Sequence, residues 1–282
     1  MAIKEYKHPL LFYLLCTVVP WAFWFTSAYY SRDPSYSLLS GTLALIGLIS
    51  PVIIAFSMMY INPTLRQDLW RRLFTVQKTR PIYLFLTLAV MPCSILLAQA
   101  ISLMFGYSVN QFSFSSGPSF SYALFSPWVM LFLAPVLEEL AWHSYGTDCI
   151  RVHFNLFVTS LIFAIFWALW HLPLAFVKDY YHSNVAHMSW IYSANFLISI
   201  IPFVILMNWL YYKTHRNIMV AVVFHTTANV FNEIFATHPD SKVIQTILLL
   251  GFAIILLFAE PKFFFRKRVS RAGVEKGSVI SP

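Results

Sequence analysis

The chain has 282 residues, 59% of them hydrophobic and 11% charged. Soluble domains carry about 25% charged residues, so the composition excludes an ordinary soluble enzyme and gives one polytopic membrane domain. The net charge of +8 follows the boundaries of the apolar stretches rather than forming a patch, which argues against nucleic acid as a partner. Three scattered cysteines, Cys16, Cys93 and Cys149, give neither a disulfide framework nor a cysteine zinc site.

A helix needs about 20 apolar residues to cross the hydrocarbon core. Eight stretches qualify: Pro9 to Tyr29, Leu38 to Ile61, Pro81 to Phe105, Tyr122 to Trp142, Leu156 to Val177, Trp190 to Tyr212, Ile218 to Phe235 and Val243 to Ala259. The first run is too long for a signal peptide and lacks a small-residue cleavage site. The expected fold is an all-α bundle of about eight transmembrane helices, and an even number of spans puts both termini on one side. Of the 19 lysines and arginines, 16 fall on that side; only Arg32, Lys178 and Lys242 fall on the other. The positive-inside rule then makes both termini cytoplasmic.

Two connecting segments carry a pattern of their own. Between the second and third spans, Thr64 to Val76 places Leu65, Leu69, Trp70 and Leu73 near one helix face and basic residues on the other. That is the pattern of a helix lying along the membrane interface; an ordinary basic loop is the plain alternative. Gln111 to Ser121, rich in serine and phenylalanine and without charge, reads as an external loop.

The fourth span contains Glu138 and Glu139, followed by His143. Adjacent helical residues diverge by about 100°, so the glutamates face different surroundings. Glu139 and His143, four apart, share a face; Glu138 is free to serve a cavity as a general base. The bland reading leaves both carboxylates solvated at a helix end. The fifth span aligns Phe163, Trp167 and His171 on one stripe, with Pro173 next to the histidine as a source of a kink. In the seventh, His225 and Asn229 share a face at i and i+4, a spacing that suits a ligand pair, two oxyanion donors or simple helix–helix hydrogen bonding. Ionisable groups within membrane spans are functional candidates by default. From the cytoplasmic ends, helix rise puts His225 about 13 Å deep, Asn229 about 19 Å, His171 about 24 Å and, if the fourth helix runs on past Trp142 to about Asp148, Glu138 about 15 Å. One cavity opening to the cytoplasm needs tilt or the Pro173 kink to bring His171 level.

The order of these residues resembles the CAAX prenyl protease and bacteriocin-processing (CPBP, Abi) family of intramembrane proteases. Its pattern is EExxxR, then FxxxH or a WxxWHxP variant, then HxxxN. The matches are Glu138-Glu139, Trp167 to His171 and His225 to Asn229. The resemblance implies a membrane endopeptidase reached from the cytoplasm, in which Glu138 and His171 activate water while His225 and Asn229 hold the oxyanion. It also makes Glu139 and His143 supporting residues. Trp167 and Trp170 are candidates for a groove that takes the apolar or lipidated end of a peptide. The family's arginine is His143 here, so a weaker, pH-sensitive contact with Glu139 is expected.

The family is often labelled metalloprotease, and a metal-free glutamate mechanism has been argued as well. The chain lacks HExxH. Zinc held by Glu138, His171 and His225 stays open, while the preferred scheme requires no cofactor. Residues 1–265 form the expected transmembrane protease domain, with the motifs inside 122–235. Residues 266–282 form a basic, flexible cytoplasmic tail that meets anionic lipid headgroups. The expected partners are membrane lipids and a membrane-associated peptide or protein substrate. Two rival functions are a proton-coupled transporter, for which no repeated halves are visible, and an immunity or scaffolding protein of the same fold.

Overall fold

The computed structural model describes residues 2–74 and 79–266. The basic tail from 267 onward lies outside the described residues, as does the end of the segment expected over Thr64 to Val76. The chain runs through α1 (Pro9–Tyr30), α2 (Ser37–Tyr60), α3 (Pro63–Phe74), α4 (Pro81–Ser102) and α5 (Pro127–Ala141). A π-helical turn (Trp142–Gly146) leads directly into α6 (Thr147–Arg151). There follow α7 (Leu156–Trp170), α8 (Tyr181–Met188), α9 (Trp190–Lys213), α10 (Ile218–Ile234), α11 (Pro239–Ala259) and α12 (Pro261–Phe265). Among the described residues the only extended pairing is an isolated bridge between Phe114 and Phe235.

The protein is an all-α integral membrane protein. Among the described residues, six helices are long and apolar enough to cross a membrane, and α10 is a shorter apolar helix. The span expected from Tyr122 begins only at Pro127, because a loop occupies the five preceding residues. At its other end the helix continues through the π turn to Arg151.

Local sequence explains many helix ends. Proline opens α1, α4, α5 and α11, where its missing N–H would have no helical partner in any case. Asn155 and Asn217 cap α7 and α10 through their side-chain oxygens. Prolines 20, 51, 92, 135 and 202 lie inside helices, as membrane bundles tolerate when neighbouring groups compensate for the lost backbone bond.

Large apolar side chains on the outer surface, such as Leu14, Ile53, Leu88, Ile165 and Ile255, are exposed, as suits helices whose solvent is lipid. The interior is aromatic. Trp24, Trp142, Trp170, Phe12 and Phe163 are fully buried, and Trp170 packs edge-on against both Trp24 and Trp142. Gly47 makes room for this cluster: a Cβ there would fall 2.3 Å from the Trp24 indole nitrogen.

The face carrying the termini is closed by α3, α6 and α12. Here α3 departs from the simple amphipathic picture. Leu65 and Leu69 are buried as expected, but so are Asp68 and Arg72, while Trp70 is 56% exposed. Arg72 turns inward because acceptors wait for it: the His143 and Ser144 carbonyls, each at 2.8 Å, and Asp148 at 3.0 Å. Arg216 joins from the start of α10, bonding both Asp68 and Asp148. On the opposite face, the segment expected as an external loop is docked rather than free. Gln99 donates to the Gln111 carbonyl at 3.0 Å, and Ser241 donates to the Gln111 side chain at 2.7 Å.

Candidate active site

A cavity of about 490 Å³ lies between α5, α7, α8, α9, α10 and α11. Glu138, His171, His225 and Asn229 all line it, so the three sequence motifs meet at one place. The two glutamates take different surroundings, as their helical spacing requires. Glu138 faces the cavity and Glu139 is wholly buried behind it. The alternative of two carboxylates solvated at a helix end is thereby overturned.

Glu138 Oε2 accepts a hydrogen bond from the Trp167 indole at 2.9 Å and stands 3.9 Å from His171 Nε2. That gap exceeds a direct hydrogen bond and suits a shared water. His171 Nδ1 donates to the Trp167 carbonyl at 2.6 Å, which leaves Nε2 toward the glutamate. Helix α7 ends at Trp170, and a 3₁₀ segment, Leu172–Phe176, follows. His171 thus sits at a helix terminus rather than beside a kink. The helix bearing Glu138 runs to Arg151, three residues beyond Asp148, which adds about 4.5 Å to the depth of Glu138 and closes about half of the mismatch with His171.

Glu139 accepts from two histidines. His225 Nδ1 donates to Oε1 at 2.8 Å, and His143 Nδ1 bonds Oε2. His143 Nε2 meets Asn208 Oδ1 at 3.0 Å, and Asn208 Nδ2 donates to Ser160 at 2.9 Å. A polar chain therefore runs from His225 through Glu139, His143 and Asn208 to α7. The Glu139–His143 pair is not a loose surface contact: both side chains have no exposed area, and both ring nitrogens of His143 face oxygen atoms.

The two tryptophans divide the work differently from a simple groove. Both line the cavity. Trp167 also holds Glu138, stacks on Phe163 and meets the His225 ring edge-on at 5.1 Å. Trp170 is fastened to α1 through a 2.8 Å bond from its indole to the Cys16 carbonyl.

The zinc donor set is not assembled. Among the described residues, no three His, Cys, Asp or Glu side chains are arranged to hold a metal ion. The cavity's lining also reaches one set of helix ends: Phe120, Tyr180, Asn184, Tyr192, Glu233 and Lys242 belong to it and lie near the ends remote from Pro9 and Phe265.

Several residues in and behind the cavity carried no readable signal in the sequence. His182 stacks on His171 with ring centroids 4.9 Å apart, and neither of its ring nitrogens has a hydrogen-bond partner. It lies on α8, a short helix with no distinctive motif. Asn208 and Ser160 sit within apolar runs at positions that only the packing of α7 against α9 makes meaningful.

The family model for type II CAAX prenyl endopeptidases, Rce1-like, matches residues 120–231, the stretch that supplies Glu138, His171, His225 and Asn229. The chain is also 37% identical over 272 residues to the protein named CAAX prenyl protease 2 of Methanococcus maripaludis, covering 94% of this chain and 99% of that one. Identity at that level along nearly the whole of both sequences, together with the family match over the helices that build the cavity, shows that the chain belongs to the Rce1-like CAAX prenyl endopeptidase family of membrane proteases.

Proposed function

We propose that the protein hydrolyses a peptide bond near the C-terminus of a membrane-associated substrate, one carrying a prenylated cysteine of the kind named for its relative. The observation that carries this reading is the convergence of Glu138, His171, His225 and Asn229 on one cavity, with the first two 3.9 Å apart. A water between Glu138 and His171 Nε2 gives a proton to the carboxylate as its oxygen attacks the scissile carbonyl. The carbonyl π electrons move onto oxygen, where His225 Nε2 and the Asn229 amide supply donors. Donation from Nε2 requires the doubly protonated His225 ring, because Nδ1 already donates to Glu139; the Glu139 carboxylate balances that charge. Collapse of the tetrahedral intermediate breaks the C–N bond, and Glu138 returns its proton to the leaving amine.

Preorganised donors in a cavity sheltered from bulk water hold more transition-state charge than the same groups in water. No step is assigned to a metal. The lipid chain of the substrate stays with the bilayer, while Trp167 and its aromatic neighbours line the peptide's path.

The test is cleavage of a prenylated peptide by purified protein in liposomes. Glu138→Ala is expected to lower turnover by about 10²–10⁴-fold with unchanged thermal unfolding. Retained turnover in that variant would refute the assignment.

A further inference from the structure

At one end of the cavity, Glu233 and Lys242 face each other from α10 and α11. Glu233 is buried, and its Oε2 accepts the Ser119 backbone N–H at 2.6 Å. Its Oε1 has no hydrogen bond and lies 3.7 Å from Lys242 Nζ. An ammonium–carboxylate hydrogen bond is ordinarily about 2.7–2.9 Å long, so the lysine is aimed at Glu233 without being closely bonded to it. The ammonium also lies 6.0 Å from the Tyr181 ring centroid. Lys242 is the only lysine or arginine among the described residues lining the cavity.

The spacing gives this cation a meaning. Glu233 is two helical turns beyond His225 on α10, about 12 Å along the axis. Three extended residues span about 10 Å. A peptide whose scissile carbonyl lies at His225 and Asn229 therefore brings the third residue beyond the cut to the neighbourhood of Lys242. Asn232 and Asn195 line the way and offer amide groups to a peptide backbone. In a C-terminal C-a-a-X sequence three residues follow the lipidated cysteine, and the last carries a free carboxylate.

We infer that Lys242 forms a subsite for the substrate's C-terminal α-carboxylate and so measures where the chain ends relative to the cut. This rests on the proteolytic reading of the cavity. Glu233 positions the lysine in the empty subsite.

Binding tests it apart from catalysis. A fluorescent prenylated tetrapeptide with a free C-terminal acid, and the same peptide as its carboxamide, are titrated into Glu138→Gln protein in detergent. The acid is expected to bind at least about tenfold more tightly than the amide. Adding Lys242→Gln brings the ratio near one by weakening the acid alone, while Lys242→Arg preserves the preference. Equal affinity for acid and amide, or equal weakening of both by Lys242→Gln, overturns the subsite. Hydrolysis by protein that retains Glu138 is followed separately: a tenfold preference for the acid without any cleavage leaves the carboxylate subsite standing and removes the protease reading.

Discussion

At the scale of single residues, the site depends on a division of labour between neighbours. Glu138 has one indole donor and a view of the cavity, whereas Glu139 has two histidine partners and no exposed area. Leaving a buried acceptor without its hydrogen-bond donor costs about 1–3 kcal/mol, more where the acceptor is charged. His143→Ala should therefore lower thermal stability by an amount in that range, and turnover should fall as His225 loses its fixed partner. A purified variant with unchanged melting temperature and turnover would show that the polar chain from His225 to Asn208 is dispensable. Asn208→Leu removes one acceptor at the far end of that chain and should give the same kind of loss, about 1–3 kcal/mol, measured by the same melting experiment.

At the scale of elements, the π turn connects the site to the terminal face. Its widened backbone leaves the His143 and Ser144 carbonyls open to Arg72, and π bulges are common where function requires such an irregularity. Arg72, Arg216, Asp68 and Asp148 then fasten α3 and α10 to α6. Burial alone would raise the Asp148 carboxyl, but the Arg216 and Arg72 guanidiniums beside it hold it below the ordinary 3.8. A carboxyl lowered in the folded state adds stability above its unfolded value, and that contribution is lost as pH falls through its folded one. The melting temperature is thus expected to be insensitive to Asp148 ionisation near neutrality and to drop below about pH 4. Asp148→Asn should destabilise the neutral-pH protein by about 3–5 kcal/mol, and a melting curve superimposable on that of the parent would dismiss the network as a fastening.

At the scale of the whole molecule, the part of the cavity lining around Asn184 and Lys242 lies at the helix ends opposite Pro9 and Phe265. The lysine and arginine bias assigns the face of Pro9 and Phe265 to the cytoplasm, and the resemblance puts the route to the cavity on the cytoplasmic side. Part of the bias is structural: Arg72, Arg151 and Arg216 are all buried, and two of them serve the network around Asp148. Single cysteines introduced at Glu5 and Asn184, in a background without Cys93, are expected to react with an impermeant maleimide from opposite sides of sealed vesicles. Reaction of both from one side would contradict the topology.

The sequence by itself determined the helical membrane class, most span boundaries and the four cavity-lining motif residues. These follow from hydropathy and from spacings of one or four residues, which are local properties of a helix. It also separated Glu138 from Glu139, since a 100° step needs no tertiary information. Only the tertiary structure decided that Glu139 serves two histidines, that Arg72 turns inward and that His182 stacks on His171. It alone set Lys242 opposite Glu233. Each of these joins residues from different helices or loops, and the distance between such residues is set by packing, to which hydropathy and helical period are blind.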